Sequence, residues 1–100
     1  MDFNLYLSDQ YRIDYHRITD YLFITWGVKS VVKFEKIVQK ILLRISQMPT
    51  IGTEVIVNER VLREISLTKQ NKLIYEIKET QVILIKIFDT RQHPDKRYNF

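Results

Sequence analysis

The spacing of apolar residues changes once along this chain, and that change limits the folds open to it. From Ser8 to Gln47 apolar residues recur with the helical period, whereas beyond Gly52 they alternate as they do in β-strands. One hundred residues leave room for one hydrophobic core. The sequence therefore predicts one α+β domain over residues 1–100, with helices packed on one small sheet and a loosely held tail from about residue 95.

Local signals divide the helical half into two helices. Residues 3–7 are predicted to form an N-terminal strand, after which Ser8 caps a first helix that ends near Trp26. Gly27 is placed as its C-terminal stop, and a second helix runs from there until just before Pro49. Because the connection is very short, the two helices should form an antiparallel hairpin.

Apolar spacing also predicts which surfaces face the core. In the first helix, five residues at helical spacing form one stripe: Tyr11, Tyr15, Ile18, Leu22 and Trp26. The alternating half predicts a three-strand antiparallel meander with strands near 61–67, 72–78 and 81–88, and an extended piece at 54–57 before it. The last strand is apolar on both faces and should therefore lie inside the sheet.

Composition excludes several classes of protein. The chain has no cysteine, which removes disulfide scaffolds, thiolate metal sites and cysteine nucleophiles. Its two histidines, His16 and His93, lie far apart in sequence, so we predict no metal site and no cofactor. There is no secretion signal and no apolar run long enough to span a membrane, which predicts a cytoplasmic protein without a membrane partner.

Two helix surfaces are candidates for binding. On the second helix, basic residues repeat on the side opposite the apolar stripe, at Lys29, Lys33, Lys36, Lys40 and Arg44. Such a row is either a solvated helix face or a contact for phosphate groups or an acidic partner. On the first helix, Ile13, Arg17 and Ile24 lie away from the core stripe, which predicts a contact with a second copy of the chain or with another protein.

Further basic and titratable residues fall on the predicted sheet and the tail. Arg63 shares its strand face with apolar neighbours, so its side chain is expected either in an ion pair or in a concave site. The others are Lys69, Lys72, Arg91, His93 and Tyr98. Cations combined with an imidazole or a phenol could cleave RNA, and the same groups could equally form a phosphate-binding patch.

Several short segments, taken together with their order and spacing, are typical of one protein family. They are Leu5-Tyr6-Leu7-Ser8, Ile18-Thr19-Asp20-Tyr21-Leu22, Trp26-Gly27, Pro49-Thr50-Ile51-Gly52, Val61-Leu62-Arg63, Leu73-Ile74-Tyr75-Glu76-Ile77 and Ile87-Phe88-Asp89-Thr90-Arg91-Gln92-His93-Pro94. In these segments the chain resembles the RelE/ParE superfamily of bacterial toxins from type II toxin–antitoxin modules, often labelled plasmid-stabilisation proteins. The resemblance implies a compact toxin neutralised by a cognate antitoxin, with a homodimer or a heterotetramer with the antitoxin as expected assemblies.

The members of this superfamily act by two different mechanisms, and the resemblance has to be read for each of them. Trp26-Gly27, the Pro49 to Gly52 segment and the ending Phe88-Asp89-Thr90-Arg91 look more like ParE members. This implies growth arrest through DNA gyrase, without enzymatic activity. The alternative is a RelE-like endoribonuclease, an mRNA interferase that cuts messages on the ribosome. A second alternative is an inactive module that retains only antitoxin binding.

Residue roles follow only by analogy with the RelE-like members. The resemblance implies Arg63, Arg91 and His93 as catalytic groups, the two arginines stabilising the phosphorane. Lys69 or Lys72 would bind phosphate, and His93 or Tyr98 would transfer protons. In a toxin that is not a nuclease, Lys69, Lys72 and Tyr98 are instead candidates for holding an acidic segment of the antitoxin.

Overall fold

The structure is a computed structural model that describes residues 2–92 and residue 98. Strand β1 (Asn4–Leu7) is followed by helix α1 (Asp9–Trp26), helix α2 (Val28–Gln47) and a 3-10 turn at Pro49–Ile51. The remaining strands are β2 (Thr53–Val57), β3 (Arg60–Ser66), β4 (Asn71–Lys78) and β5 (Gln81–Asp89). They form one sheet in the order β1-β5-β4-β3-β2, in which β1 runs parallel to β5 and the other neighbours are antiparallel. The predicted α+β fold is confirmed.

The meander has one strand more than the sequence predicted. The expected extended piece at 54–57 is β2, which pairs with β3 from Thr53↔Glu64 to Val57↔Arg60. The two strands are joined by Asn58 and Glu59, whose φ angles are 49° and 67°. Two consecutive positive φ values are the signature of a type I′ turn, whose twist matches that of a hairpin.

The predicted helix boundaries are confirmed. They could be predicted because local capping residues define them. The Ser8 hydroxyl accepts a hydrogen bond from the backbone N–H of Tyr11 at 3.0 Å. Gly27 takes φ of 89°, a conformation that favours glycine, and separates the two helices by a single residue. Across the hairpin, the rings of Tyr15 and Phe34 lie 5.8 Å apart.

The main core lies between the helical hairpin and one face of the sheet. Its fully or nearly buried members are Tyr11, Phe34, Val38, Ile45, Leu67, Leu73, Tyr75, Val82, Leu84 and Ile87. The α1 stripe packs here as predicted through Tyr15, Ile18 and Leu22, but Trp26 is 70% exposed. The prediction for Trp26 was wrong because the core ends at Leu22, one helical turn earlier. None of the helices in the described part of the chain combines the length and apolarity needed to cross a bilayer.

A second, smaller cluster lies on the sheet face away from the helices. It contains the buried residues Leu62, Ile74 and Phe88, against which Tyr98 packs. A β-bulge in β5 makes both clusters possible, since Ile74 pairs with Lys86 whereas the next residue, Tyr75, pairs with Leu84. The extra residue reverses the alternation, so Lys86 lies on the face of Ile74 instead of entering the helix-facing core.

Beyond the end of β1, the N-cap residue Ser8 and the α1 residue Asp14 bond to the free edge of β5. Strand pairing stops at Leu7↔Leu84. The Ser8 hydroxyl then donates to the Ile85 carbonyl at 2.6 Å, and the Asp14 carboxylate accepts the Ile87 N–H at 2.9 Å. Asp14 is 2% exposed, so its carboxylate replaces a strand for a buried backbone donor that would otherwise be costly.

We expect Asp14→Asn to lower the free energy of unfolding by about 2 kcal/mol, because the buried, charge-assisted acceptor of the Ile87 N–H is weakened. Asp20→Asn is the matched control, since it makes the same change at an exposed position of α1. Urea denaturation of both variants checks this. Equal stability of the two variants would contradict the role given to Asp14.

Candidate functional site

A groove of about 450 Å³ opens between α1, the turn joining β3 to β4, and the end of β5. We call it the α1–β5 groove. It is lined by Arg17, Ile18, Tyr21, Leu22, Gln70, Asn71, Asp89 and Arg91. Helical spacing places Arg17 and Tyr21 on neighbouring turns, while a hydrogen bond from the Thr90 N–H to the Gln70 carbonyl holds the β5 end against the turn. The groove is therefore formed by three elements that the sheet brings together.

The charges in this groove are balanced in pairs. Arg91 donates two parallel hydrogen bonds to Asp89, Nε to Oδ1 at 3.0 Å and Nη2 to Oδ2 at 2.7 Å. Nη2 of Arg17 lies 3.0 Å from Oδ1 of the buried Asp14. Hydrogen bonding from the Arg91 side chain lowers the pKa of Asp89, an effect that partial burial opposes and the charge of Arg17 reinforces.

This arrangement suits recognition of a polar partner more readily than general acid–base chemistry. Both arginine side chains are largely exposed, so each has N–H donors left for a carboxylate or a phosphate. Apolar walls from Ile18 and Leu22 would contact the remainder of a bound segment. The Tyr21 side chain, 56% exposed, provides a phenol beside the two guanidinium groups.

Arg63 lies elsewhere and is held by several backbone and side-chain acceptors. Its Nη1 donates to the carbonyls of Thr50 and Gly52 at 3.1 and 2.8 Å, and its Nη2 donates to Glu54 at 3.3 Å. The predicted alternative of an ion pair on the apolar face is thus the one observed. The guanidinium fixes the segment that leads into β2.

The structure does not bring Arg63 and Arg91 together. Arg63 is opposite Tyr75, which pairs with Leu84, whereas Arg91 follows Asp89 at the far end of β5. The five positions from Leu84 to Asp89 correspond to roughly 16 Å along β5. His93, the third predicted catalytic residue, lies outside the described residues. A joint role for Arg63, Arg91 and His93 therefore stays a prediction without a described cluster.

The predicted phosphate-binding residues also lie apart. Lys69 is exposed in the turn beside the α1–β5 groove. Nζ of Lys72 lies 3.8 Å from Oε1 of Glu64, and Tyr98 packs on the sheet face away from the helices. Lys69 and Lys72 flank in sequence the two groove residues Gln70 and Asn71, and of these two lysines Lys72 is the one with an acidic partner among the described residues, Glu64.

The predicted partner surface on α1 is exposed and continues into the groove. Ile13 and Ile24 are 58% and 82% exposed, and Arg17 lies on the same side of the helix. Tyr21, Asn71 and Asp89 were missed as site residues by the sequence analysis. Tyr21 could have been found because it follows Arg17 by four helical positions, whereas Asn71 and Asp89 meet α1 only through the tertiary fold.

The fold as a whole is similar to those of solved bacterial toxins. A chain of the chromosomal ParDE TA system from P. aeruginosa matches with a TM-score of 0.72 and 14% identity, over 87% of this chain and 95% of that one. The toxin-antitoxin complex RelBE2 from Mycobacterium tuberculosis matches with a TM-score of 0.60 and 15% identity, over 89% of this chain and 99% of that one. The YoeB dimer from Staphylococcus aureus matches with a TM-score of 0.57 and 15% identity, over 86% of this chain and 94% of that one.

These likenesses identify the fold. No protein-family model and no curated protein matches the sequence. The chain has the fold of the ParE, RelE and YoeB toxins, which confirms the fold that the family resemblance implied.

We expect Arg91→Gln to raise the pKa of Asp89 toward its ordinary value of 3.8, because the guanidinium hydrogen bonds to the ionised carboxylate are lost while the backbone N–H of residue 91 still donates to it. Arg17→Gln should raise the same pKa by less, since Arg17 acts through its charge alone. Carbon-13 NMR titration of the Asp89 carboxyl measures both. The geometry would be wrong if Arg91→Gln left this pKa unchanged.

Proposed function

We propose that this chain is the toxin of a bacterial type II toxin–antitoxin module. The observation that carries the proposal is the likeness to the ParDE chain, which extends over 87% of this chain with a TM-score of 0.72. RelBE2, a second match of nearly full length, is itself a toxin–antitoxin complex. A cognate antitoxin is accordingly the proposed partner.

As the mechanism, we propose growth arrest by binding to DNA gyrase, without enzymatic activity. The TM-score is higher for the ParDE chain than for RelBE2 or YoeB. The described arginines also favour binding over catalysis: Arg63 is occupied by carbonyls and Glu54, while Arg17 and Arg91 pair with aspartates. A phosphorane would have to displace the partners of Arg63, and at Arg17 and Arg91 it would have only the N–H donors that the aspartates leave free.

One observation supports the alternative, a ribosome-dependent endoribonuclease. Arg17, Arg91 and the Tyr21 phenol line one groove, so two cations and a candidate proton donor share a site. The candidate set then differs from the predicted one, because Arg17 and Tyr21 take the places of Arg63 and His93. Each guanidinium would bind the phosphate through the N–H donors that its aspartate leaves free.

The two mechanisms make opposite predictions for cellular RNA. We expect induction of the chain without antitoxin to arrest growth, induce a DNA-damage reporter and leave messages intact in transcriptome-wide mapping of 5′ ends. The purified chain should also inhibit supercoiling of relaxed plasmid by gyrase. Codon-phased cuts inside translated reading frames would instead establish the nuclease.

In a nuclease, Arg91→Ala should slow cleavage by about 10²–10³-fold, because a cation at the developing charge is lost. In a gyrase inhibitor the messages stay intact with either version of the chain. Growth that continues normally in every host tested, with soluble and folded protein present, would contradict a toxin and favour the inactive module.

We propose that the antitoxin contacts the exposed side of α1 at Ile13, Arg17 and Ile24. Ile24→Glu should weaken antitoxin binding about 30-fold or more, because a charge would be buried in an apolar contact. Ile56→Glu is the matched control, since Ile56 is 69% exposed on the edge strand β2, away from α1. Isothermal titration with the antitoxin measures both, and equal affinities would exclude this surface.

A further inference from the structure

The outer face of α2 is a row of cations that form no ion pair within the described part of the chain. The row, which we call the α2 stripe, consists of Lys29, Lys33, Lys36, Lys40 and Arg44. All of them are exposed, and at 100° per residue they fall within about 80° of arc. Ion pairs elsewhere in the described residues engage Arg17, Arg60, Arg63, Lys72, Lys78 and Arg91.

The stripe accounts for the net positive charge of the chain. Five cations lie there whereas the net charge of the whole chain is +4, so the rest of the chain is slightly acidic. Glu35, the acid within α2, is directed into the helical hairpin, where its Oε2 accepts from the Tyr15 hydroxyl at 3.5 Å. The stripe therefore presents an uncompensated field to solvent, which would attract a polyanion.

The geometry of the stripe narrows the kind of polyanion. Arg44 follows Lys29 by fifteen positions, which corresponds to a straight row of about 22 Å with a cation roughly every 5–6 Å. A duplex of B-DNA carries roughly 13 phosphate charges over that length. A rigid, straight row of this kind can follow one face of a duplex and contact several phosphates at once.

The side chains that are missing from the stripe are equally informative. Between Lys29 and Arg44 this arc holds only cations. It has no aromatic ring on which the bases of a single strand could stack, and the neutral hydrogen-bonding group nearest in line for the 2′-hydroxyls of duplex RNA is Gln47, one turn beyond Arg44. The arc itself holds no apolar side chain of the kind found at the centre of a protein contact, although the exposed Val32 and Leu43 lie beside it.

We propose that the α2 stripe binds the phosphate backbone of duplex DNA without sequence preference. Binding through phosphates alone releases counterions, so the affinity should fall steeply with salt. The inference stands on α2 alone and is independent of the proposed toxin activity. In a chain that acts on gyrase, it would hold the protein close to an enzyme that works on DNA.

Fluorescence anisotropy with the full chain, made by chemical synthesis, tests the proposal. The probes are a labelled mixed-sequence DNA duplex of about 20 base pairs, the RNA duplex of the same sequence, and either DNA strand alone. For five phosphate contacts, log Kd should rise against log salt with a slope of about 4 to 5. Between about 50 and 200 mM salt the affinity should therefore fall by a factor on the order of several hundred.

Two double variants separate the stripe from overall charge. Lys36→Gln/Lys40→Gln should weaken DNA binding by about tenfold or more and reduce the salt slope by about two. Arg12→Gln/Lys78→Gln is the matched control, because it removes two exposed cations outside α2 and changes the net charge equally. It should change the affinity by less than about threefold. Glutamine is nearly as good a helix former as lysine, and circular dichroism verifies folding.

Each other outcome would overturn the proposal. Equal losses in the two double variants would mean that net charge and not the stripe binds DNA. Tighter binding of duplex RNA or of a single strand would assign the stripe to RNA or to unpaired bases. Absence of binding at low salt would leave the stripe as a solvated helix face, and none of these results would alter the outcome of the growth-arrest experiment.

Discussion

A helix side chain, and not a neighbouring strand, accepts the backbone N–H of Ile87 at the free edge of β5. The position of the candidate site depends on this hydrogen bond. β1 reaches only to Leu84, so the Ile87 N–H would be buried without a partner if Asp14 did not accept it at 2.9 Å. The bond ties the second turn of α1 to this edge of the sheet. Because Asp14 also lies 3.0 Å from Arg17, the same carboxylate holds that guanidinium in the α1–β5 groove. Fold and site are therefore coupled through one buried side chain.

The bulge in β5 explains how one small sheet supports apolar clusters on both faces. Regular alternation from Val82 and Leu84 would place Lys86 in the helix-facing core, at a high cost for an unpaired charge. The extra residue instead brings Ile87 into that core, and Lys86 lies 6.0 Å from the ring of Phe88 on the opposite face. The sheet face away from the helices is consequently a mixture of charged and apolar groups.

The parts of the fold that could be predicted are those encoded by neighbouring residues. Ser8 and Gly27 define the helix ends through their own backbone and side-chain geometry, and alternation identifies β3, β4 and β5. The β2–β3 hairpin was harder to predict because its turn, Asn58-Glu59, takes two positive φ angles without a glycine. Periodicity also gives the face of a helix but not where the core ends, which is why Trp26 was misplaced. The groove could not be predicted as a unit, because Arg17 and Asp89 meet only through the order of the strands.

Two kinds of charge arrangement coexist on this molecule, and they suit different kinds of contact. In the α1–β5 groove each arginine faces an aspartate, so the groove exerts little long-range attraction and can select a partner by shape and hydrogen-bond geometry. The α2 stripe has no such compensation among the described residues, and its field extends about one Debye length, roughly 8 Å at physiological salt. A partner held by the groove should therefore depend weakly on salt, whereas one held by the stripe should depend on it strongly. A net charge of +4 conceals this division, because the sum is the same wherever the cations lie.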